Sequence, residues 1–385
     1  MIERETPHEG LAALLPAARR NAAALSDQLG VLVSCESPAG SMPHLEACAE
    51  LLADWGEVAL GRPVRRVTPG GPPHLLWPAP DGGILLLGHF DTVWPAGTLT
   101  DWPYAVTAGR ASGPGVCDMK GGIVQMLAAL EMLPDPSRVG VLLTCDEEIG
   151  SGTSRGLIEE QARRSAAVLV CEPSAPDGAL KVARKGGSVY ELMIHGKAAH
   201  AGVEPHLGIN ATVELAHQVF TVLDLADAAN GTSVTPTVVR GGSTTNTVPE
   251  EASVCVDVRA WSSAELDRVD QAIRALPARL PGAALTVGGG LNRYPMPSET
   301  ALPLLEIAQA AAIDLGIPAP AGVRAPGASD GNFTGALGVP TLDGLGVVGG
   351  GSHARSEYAE VALMPERAAL LARLIERLLS ESWRR

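Results

Sequence analysis

The chain has 385 residues, 46% of them hydrophobic and 19% charged. It is therefore too long for one ordinary core and too apolar to be disordered. Its formal net charge of -14 argues against nucleic acid or an anionic membrane as a partner. The opening stretch MIERETPHEG is charged, no apolar run approaches a membrane span, and the six cysteines form no Cys-x-x-Cys pair. A cytoplasmic protein without signal peptide, transmembrane helix or disulfide framework is expected.

In chain order, Ala and Leu at helical spacing predict helices over 11–32 and 44–55. The Gly- and Pro-rich segment 61–80 reads as loops around one extended piece. Residues 84–87, ILLL, fit a strand buried on both faces of a parallel sheet. Gly88, His89 and Asp91 follow at its carboxyl end, where open α/β sheets build their sites. GPGVCDMKGG, 113–122, is a tight loop that feeds a buried helix over 123–133. Two more strands, 139–145 and 166–171, end in Asp146-Glu147-Glu148 and Glu172-Pro173-Ser174. Strand, helix, strand, helix, strand is the parallel α/β signature.

The pattern changes near Lys185. Residues 188–195 alternate in the manner of an antiparallel strand. A helix over 208–225, strands over 234–240 and 252–261, a helix over 264–280 and a short strand near Leu285 follow. This β-α-β-β-α-β order predicts a compact two-layer domain. A last sheet strand over 340–345 and a closing helix over 365–379 complete the chain. The expected fold is α/β. A catalytic domain, 1–184 with 296–385, holds a mostly parallel sheet flanked by helices, and 185–295 is an inserted α+β, ferredoxin-like domain.

The strand ends converge on one chemistry. They deliver His89 and Asp91, then Asp146, Glu147 and Glu148, then Glu172. The Gly-rich loop adds Asp118, and GGGSHARSE adds His353 on a turn. Four or more carboxylates on one sheet edge repel unless something positive sits among them. Divalent cations meet that need. Mixed His and carboxylate donors suit zinc, with manganese or cobalt as alternatives. One His and one terminal carboxylate per metal, with a single carboxylate between, would hold two ions roughly 3.5–4 Å apart around a shared water. One member of Glu147-Glu148 is then left for the base that such hydrolysis requires. Asp91 can accept from the second ring nitrogen of His89 and fix its tautomer. Cys117, Cys145 and Cys171 abut these residues and read as small buried hydrophobes rather than thiolate ligands.

The segments GHFDTV, GVCDMKGG, TCDEEIGS, CEPS, GKAAHAG, TTNTVPEEASVCVDVR and GSHARSE resemble, in order and spacing, the co-catalytic zinc hydrolases. That family includes glutamate carboxypeptidase, acetylornithine deacetylase, succinyl-diaminopimelate desuccinylase and aminoacylase. The resemblance covers about 84–360 and is nearest to the glutamate carboxypeptidase branch, through GKAAHAGVEPHLGINA. It implies that Asp118 bridges two Zn2+, with Co2+ or Mn2+ as substitutes. His89 and Glu172 complete one site, and Glu148 and His353 the other. Glu147 is implied as general base on a water between the metals, and Asp91 as the residue that orients His89. A cis peptide bond after Asp118 is implied too. The inserted domain becomes a lid and homodimer interface, with His200 reaching a partner subunit's site to stabilise the oxyanion. Asn246 and Arg259 match positions near the substrate, and Arg293 is a further candidate for a substrate carboxylate. The expected activity is hydrolysis of the amide bond of an N-acyl amino acid or small peptide bearing a free carboxylate. A deacetylase, aminoacylase or dipeptidase on the same scaffold is the alternative within enzymes. A catalytically silent ligand- or metal-binding relative is the alternative outside them.

Overall fold

The computed structural model describes residues 7–68 and 70–380, with side chains from residue 14 onward. The first six residues of MIERETPHEG lie outside the described residues. The chain divides into two compact units. One comprises the chain through Ala183, Met296–Ala325 and Ser329 onward; the other is Arg184–Pro295 with Pro326–Ala328. Among the described residues no helix is long and apolar enough to cross a membrane.

The first unit is built on a six-stranded sheet in the order Arg65–Val67, His74–Trp77, Val139–Thr144, Gly83–His89, Ser165–Val170, Thr341–Leu342. Gly83–His89 is central and runs parallel to both neighbours. Its apolar run serves two cores at once. Ile84 and Leu86 enter the larger one, with residues of helices Ala22–Ser34, Met42–Leu60, Gly121–Glu131, Ser298–Leu315 and Met364–Leu379. Leu85 and Leu87 enter a smaller one, with Ile158 and Ala162 of helix Arg155–Arg164 and with Phe333. Each such buried side chain contributes about 1.5–3 kcal/mol, which explains a strand without a polar residue before its last position.

The sheet is mostly parallel, with three of its five pairings parallel, and is mixed at one edge. The 61–80 segment supplies two strands, not one. His74–Trp77 lies antiparallel to Val139–Thr144, and Arg65–Val67 antiparallel to His74–Trp77. Too few residues separate these two strands for a crossover helix, so they can only turn back on each other. The helix expected over 11–32 is two, Pro7–Arg20 and Ala22–Ser34, divided at Asn21. The last strand shortens to Thr341–Leu342. A small antiparallel sheet has no counterpart in the sequence pattern: Gly349–Gly350, Tyr358–Glu360, Arg110–Ser112 and Ala105–Thr107. Its strands are two or three residues long, too short to show a period.

The second unit is a four-stranded antiparallel sheet in the order Ser233–Gly241, Glu251–Ala260, Gly186–His195, Ala284–Arg293. Tyr190, Leu192 and Ile194 point to one face. They pack with Val254, Val256 and Val258 and with Leu215, Leu266, Val269 and Ile273 of helices Ala211–Leu223 and Ser263–Arg274. The β-α-β-β-α-β chain order is therefore present as a two-layer unit. The strand expected only near Leu285 runs ten residues. Its three glycines, Gly288 to Gly290, serve close pairing with strand Gly186–His195. A Cβ at Gly289, where φ is +72°, would lie 2.2 Å from the Val189 carbonyl oxygen.

Candidate metal centre

Three strand ends, one kinked turn and one hairpin carry the site, all within the first unit. His89 ends the central strand and is buried. Its Nδ1 lies 3.1 Å from the Asp91 carbonyl oxygen and 3.4 Å from Asp91 Oδ1. Its Nε2 faces Asp118 Oδ1 at 3.3 Å and Glu172 Oε1 at 3.4 Å. Asp91 also braces the neighbouring strand end: its two carboxylate oxygens accept the amides of Glu147 (3.2 Å) and Glu148 (3.0 Å).

Asp118 sits on a kinked turn ahead of helix Gly121–Glu131, and the Asp118–Met119 peptide bond is cis. Gly122 lets that helix lie directly on the strand end before Glu172; a Cβ there would be 2.0 Å from the Cys171 carbonyl oxygen. Lys120 is buried, and its Nζ donates to the carbonyls of Leu32 (3.1 Å) and Cys35 (2.8 Å), tying the turn to the C-terminal end of helix Ala22–Ser34.

His353 stands on the turn between Gly349–Gly350 and Tyr358–Glu360, with a φ of +64°. A non-glycine residue in that region costs roughly 1–2 kcal/mol. The backbone accepts this, and the imidazole Nε2 comes to 3.1 Å from Glu148 Oε2 and 3.6 Å from Asp118 Oδ2. Asp118 thus faces a histidine with each oxygen, His89 with one and His353 with the other.

The electrostatics are those of a cation site. Burial presses His89 toward its neutral form, yet the facing carboxylates of Asp118, Asp91 and Glu172 outweigh it and hold its pKa well above the ordinary value. Glu148, aided by the charges of Asp118 and Glu147, raises His353 to about 9 against opposing burial. Burial pushes the Glu148 carboxyl up, the nearby Asp118 charge adds to it, and His353 offsets part. His89 Nε2 and Glu148 Oε1 are buried without a hydrogen-bond partner. Ligand atoms of His89, Asp118 and Glu148 all lie within 4.8 Å of one another. These donors face a common point rather than satisfying each other, so the residues fit a divalent ion. Cys117, Cys145 and Cys171 are buried, burial pushes each thiol up, and all three stay free and neutral. Asp146 turns away: its Oδ2 accepts from the Thr153 amide and hydroxyl, both at 2.7 Å.

Sequence reasoning did not single out Glu357. It is buried, and its carboxylate takes the amides of Cys117 (2.8 Å), Asp118 (3.0 Å) and Gly115 (3.1 Å) and the indole N–H of Trp94 (3.0 Å).

The remaining named residues belong to the second unit. His200 is exposed, accepts the Gly202 amide at Nδ1 (3.1 Å), and pairs in a short ladder with Thr247. Asn246 lies beside it, its carbonyl taking the Ala201 amide at 2.9 Å. Arg259 is engaged by Asp257 on its own strand through Nε and Nη2, at 2.8–3.1 Å. Arg293 is buried at the end of strand Ala284–Arg293.

Residues 85–377 match the family described as peptidase family M20/M25/M40. The chain belongs to that family. It is a metallohydrolase. Carboxypeptidase G2 of Pseudomonas sp. (strain RS-16) is 33% identical over 302 residues, which cover 76% of this chain and 73% of the relative. Succinyl-diaminopimelate desuccinylase of Paracoccus denitrificans (strain Pd 1222) is 29% identical over 280 residues, 63% of this chain and 72% of that one. Among solved structures, the aminopeptidase PepT of Bacillus cereus shares the fold with a TM-score of 0.73 at 21% identity, over 94% of this chain and 99% of that chain. The family M20 fold thus accounts for the mixed sheet with helices on both faces.

Proposed function

We propose that this chain is a two-metal hydrolase that cleaves the amide bond of an N-acyl amino acid or small peptide with a free carboxylate, in the manner of a glutamate carboxypeptidase. The observation that carries the reading is Asp118 between two histidines, flanked by Glu148 and Glu172, with Glu147 adjacent. His89 and Glu172 would hold one ion, Glu148 and His353 the other, and Asp118 both. The donor set favours zinc. Divalent ions held there would lower the pKa of the attacking water and polarise the scissile carbonyl. Glu147 takes that water's proton on its carboxylate and delivers it to the leaving amine nitrogen. Asp91 keeps His89 oriented and holds the amides of Glu147 and Glu148 in place.

The second unit acts as lid and dimer interface. Its strand Ser233–Gly241 is a sheet edge with Val238 and Val239 exposed, and Val213, Phe220 and Leu223 are exposed on helix Ala211–Leu223. An unpaired edge beside exposed apolar side chains supports pairing with a second copy. His200 then serves the partner's site as an oxyanion donor, with Asn246 next to it. Arg293 and the unengaged edge of the Arg259 guanidinium would read the substrate carboxylate. We also infer a cytoplasmic location, from six cysteines none of which pairs with another.

The test is an amine-release screen of zinc-loaded protein over folate-type glutamates, N-acyl amino acids and dipeptides, each also as its C-terminal amide. Preferential release of glutamate from the free acid, with the amides slow, supports the reading. A preference for succinyl or acetyl amino acids moves the assignment to the deacylases of the same family. Equal turnover of the amides removes both arginines from the site, and no turnover by metal-replete protein favours a silent relative.

A further inference from the structure

We propose that Glu357 is a positioning residue for the metal centre: it locks the Asp118 turn to the His353 hairpin without touching either ion. This rests on the two-metal reading above. The Asp118 turn is not helical; Asp118 has φ -113° and ψ 97°, Met119 has φ -127° and ψ 33°, and Gly115 has a φ of +73°. The amides of Gly115, Cys117 and Asp118 therefore converge, and Glu357 occupies the concavity they form. Oε1 takes Cys117 and Asp118 at 2.8 and 3.0 Å; Oε2 takes Gly115 and the Trp94 indole at 3.1 and 3.0 Å. Trp94 extends the hold to the loop that follows Asp91. Four donors on one buried carboxylate are strong, directional contacts, and none can be replaced by water at a residue 1% exposed.

Glu357 is also the last residue before strand Tyr358–Glu360, which pairs with Gly349–Gly350 on the other arm of the hairpin. Its own amide donates to Ala354 at 2.9 Å, closing the turn on which His353 stands. One side chain thus fixes the offset between two ligands that lie far apart in sequence. An ion held by Asp118, Glu148 and His353 would depend on that offset most directly. Groups that orient metal ligands typically matter about 10–100-fold in metal affinity when lost.

The experiment compares cobalt uptake by metal-free wild type and Glu357→Gln, using a competing chelator, the visible cobalt spectrum, and kcat and KM at saturating metal. The amide is isosteric but places an N–H against one pair of donors. The expected result is metal affinity about 10–100-fold weaker, an altered cobalt spectrum, and a lower kcat at saturating metal with KM little changed. Unchanged affinity and spectrum, with only a lower melting temperature, would mean a purely structural residue and overturn the proposal. If Glu357→Gln does not fold, Trp94→Phe decides, because it removes one donor and leaves the carboxylate. A smaller loss of affinity in the same direction supports the proposal, and none overturns it. A wild-type protein that takes up no cobalt would remove the two-metal reading itself, and this inference with it.

Discussion

Glu147 and Glu148 are neighbours in sequence and share one brace, the Asp91 carboxylate that accepts both amides. They differ in where their side chains go. Glu148 pairs with His353 at 3.1 Å, whereas the proposed work of Glu147 is proton transfer. Glu147→Gln is therefore expected to keep both metals and the fold and to lose most activity, because an amide cannot take the proton. Glu148→Gln is expected to release metal, as measured by metal analysis after dialysis, before any kinetic effect is considered. The opposite pattern would exchange the two roles. For the wild type, two divalent ions per chain and reversible loss of turnover on chelation are expected; a single ion with full activity would remove Asp118 as a bridge.

At the scale of elements, the second unit depends on a buried carboxylate. Glu214, on helix Ala211–Leu223, accepts from Gln218 Nε2 at 2.6 Å, the Arg279 amide at 3.0 Å and the Leu280 amide at 2.6 Å. It closes the turn that follows helix Ser263–Arg274, which ends six residues before the 264–280 expectation. Burial pushes the Glu214 carboxyl up, but the hydrogen bonds pull it further down, so it lies below its ordinary 4.5 when folded. A carboxyl depressed by folding adds stability above its unfolded pKa and loses it as pH falls through its folded value. Glu214→Gln should cost about 1–3 kcal/mol at neutral pH, since buried donors lose their acceptor. Its deficit against wild type should narrow as pH drops below about 4.5. Denaturant unfolding at pH 7 and pH 4 measures both, and an equal deficit at the two values would remove Glu214 as the acid-sensitive group.

At the scale of the molecule, the question is where His200 works. It lies on a short ladder of the second unit, while every candidate metal ligand lies in the first. Losing an oxyanion donor typically costs about 10²–10³ in kcat, so His200→Ala should be folded, metal-replete and slow. Mixing His200→Ala with Glu147→Gln after subunit exchange tests the partner role. If His200 acts across the interface, each mixed dimer has one doubly defective site and one intact site. About half the wild-type activity per mixed dimer should then return. No recovery, with exchange verified, would confine His200 to its own chain.

The sequence by itself determined the central strand, the alternation of Tyr190, Leu192 and Ile194, and the set of side chains that meet at His89. Apolar runs and periods report burial directly, and a polar residue at the end of a buried strand has few destinations. Only the tertiary structure decided the antiparallel edge of the sheet, because 61–80 is short, Gly- and Pro-rich and without period. Only it could separate Asp146, which turns to Thr153, from its neighbours Glu147 and Glu148. Only it could separate Glu357 from a surface glutamate such as Glu360, which pairs with exposed Arg110 at 2.7 Å. The physical reason is common to all three. Their partners are backbone amides and distant side chains, and a hydrogen bond to a main-chain N–H leaves no mark on the sequence that donates it.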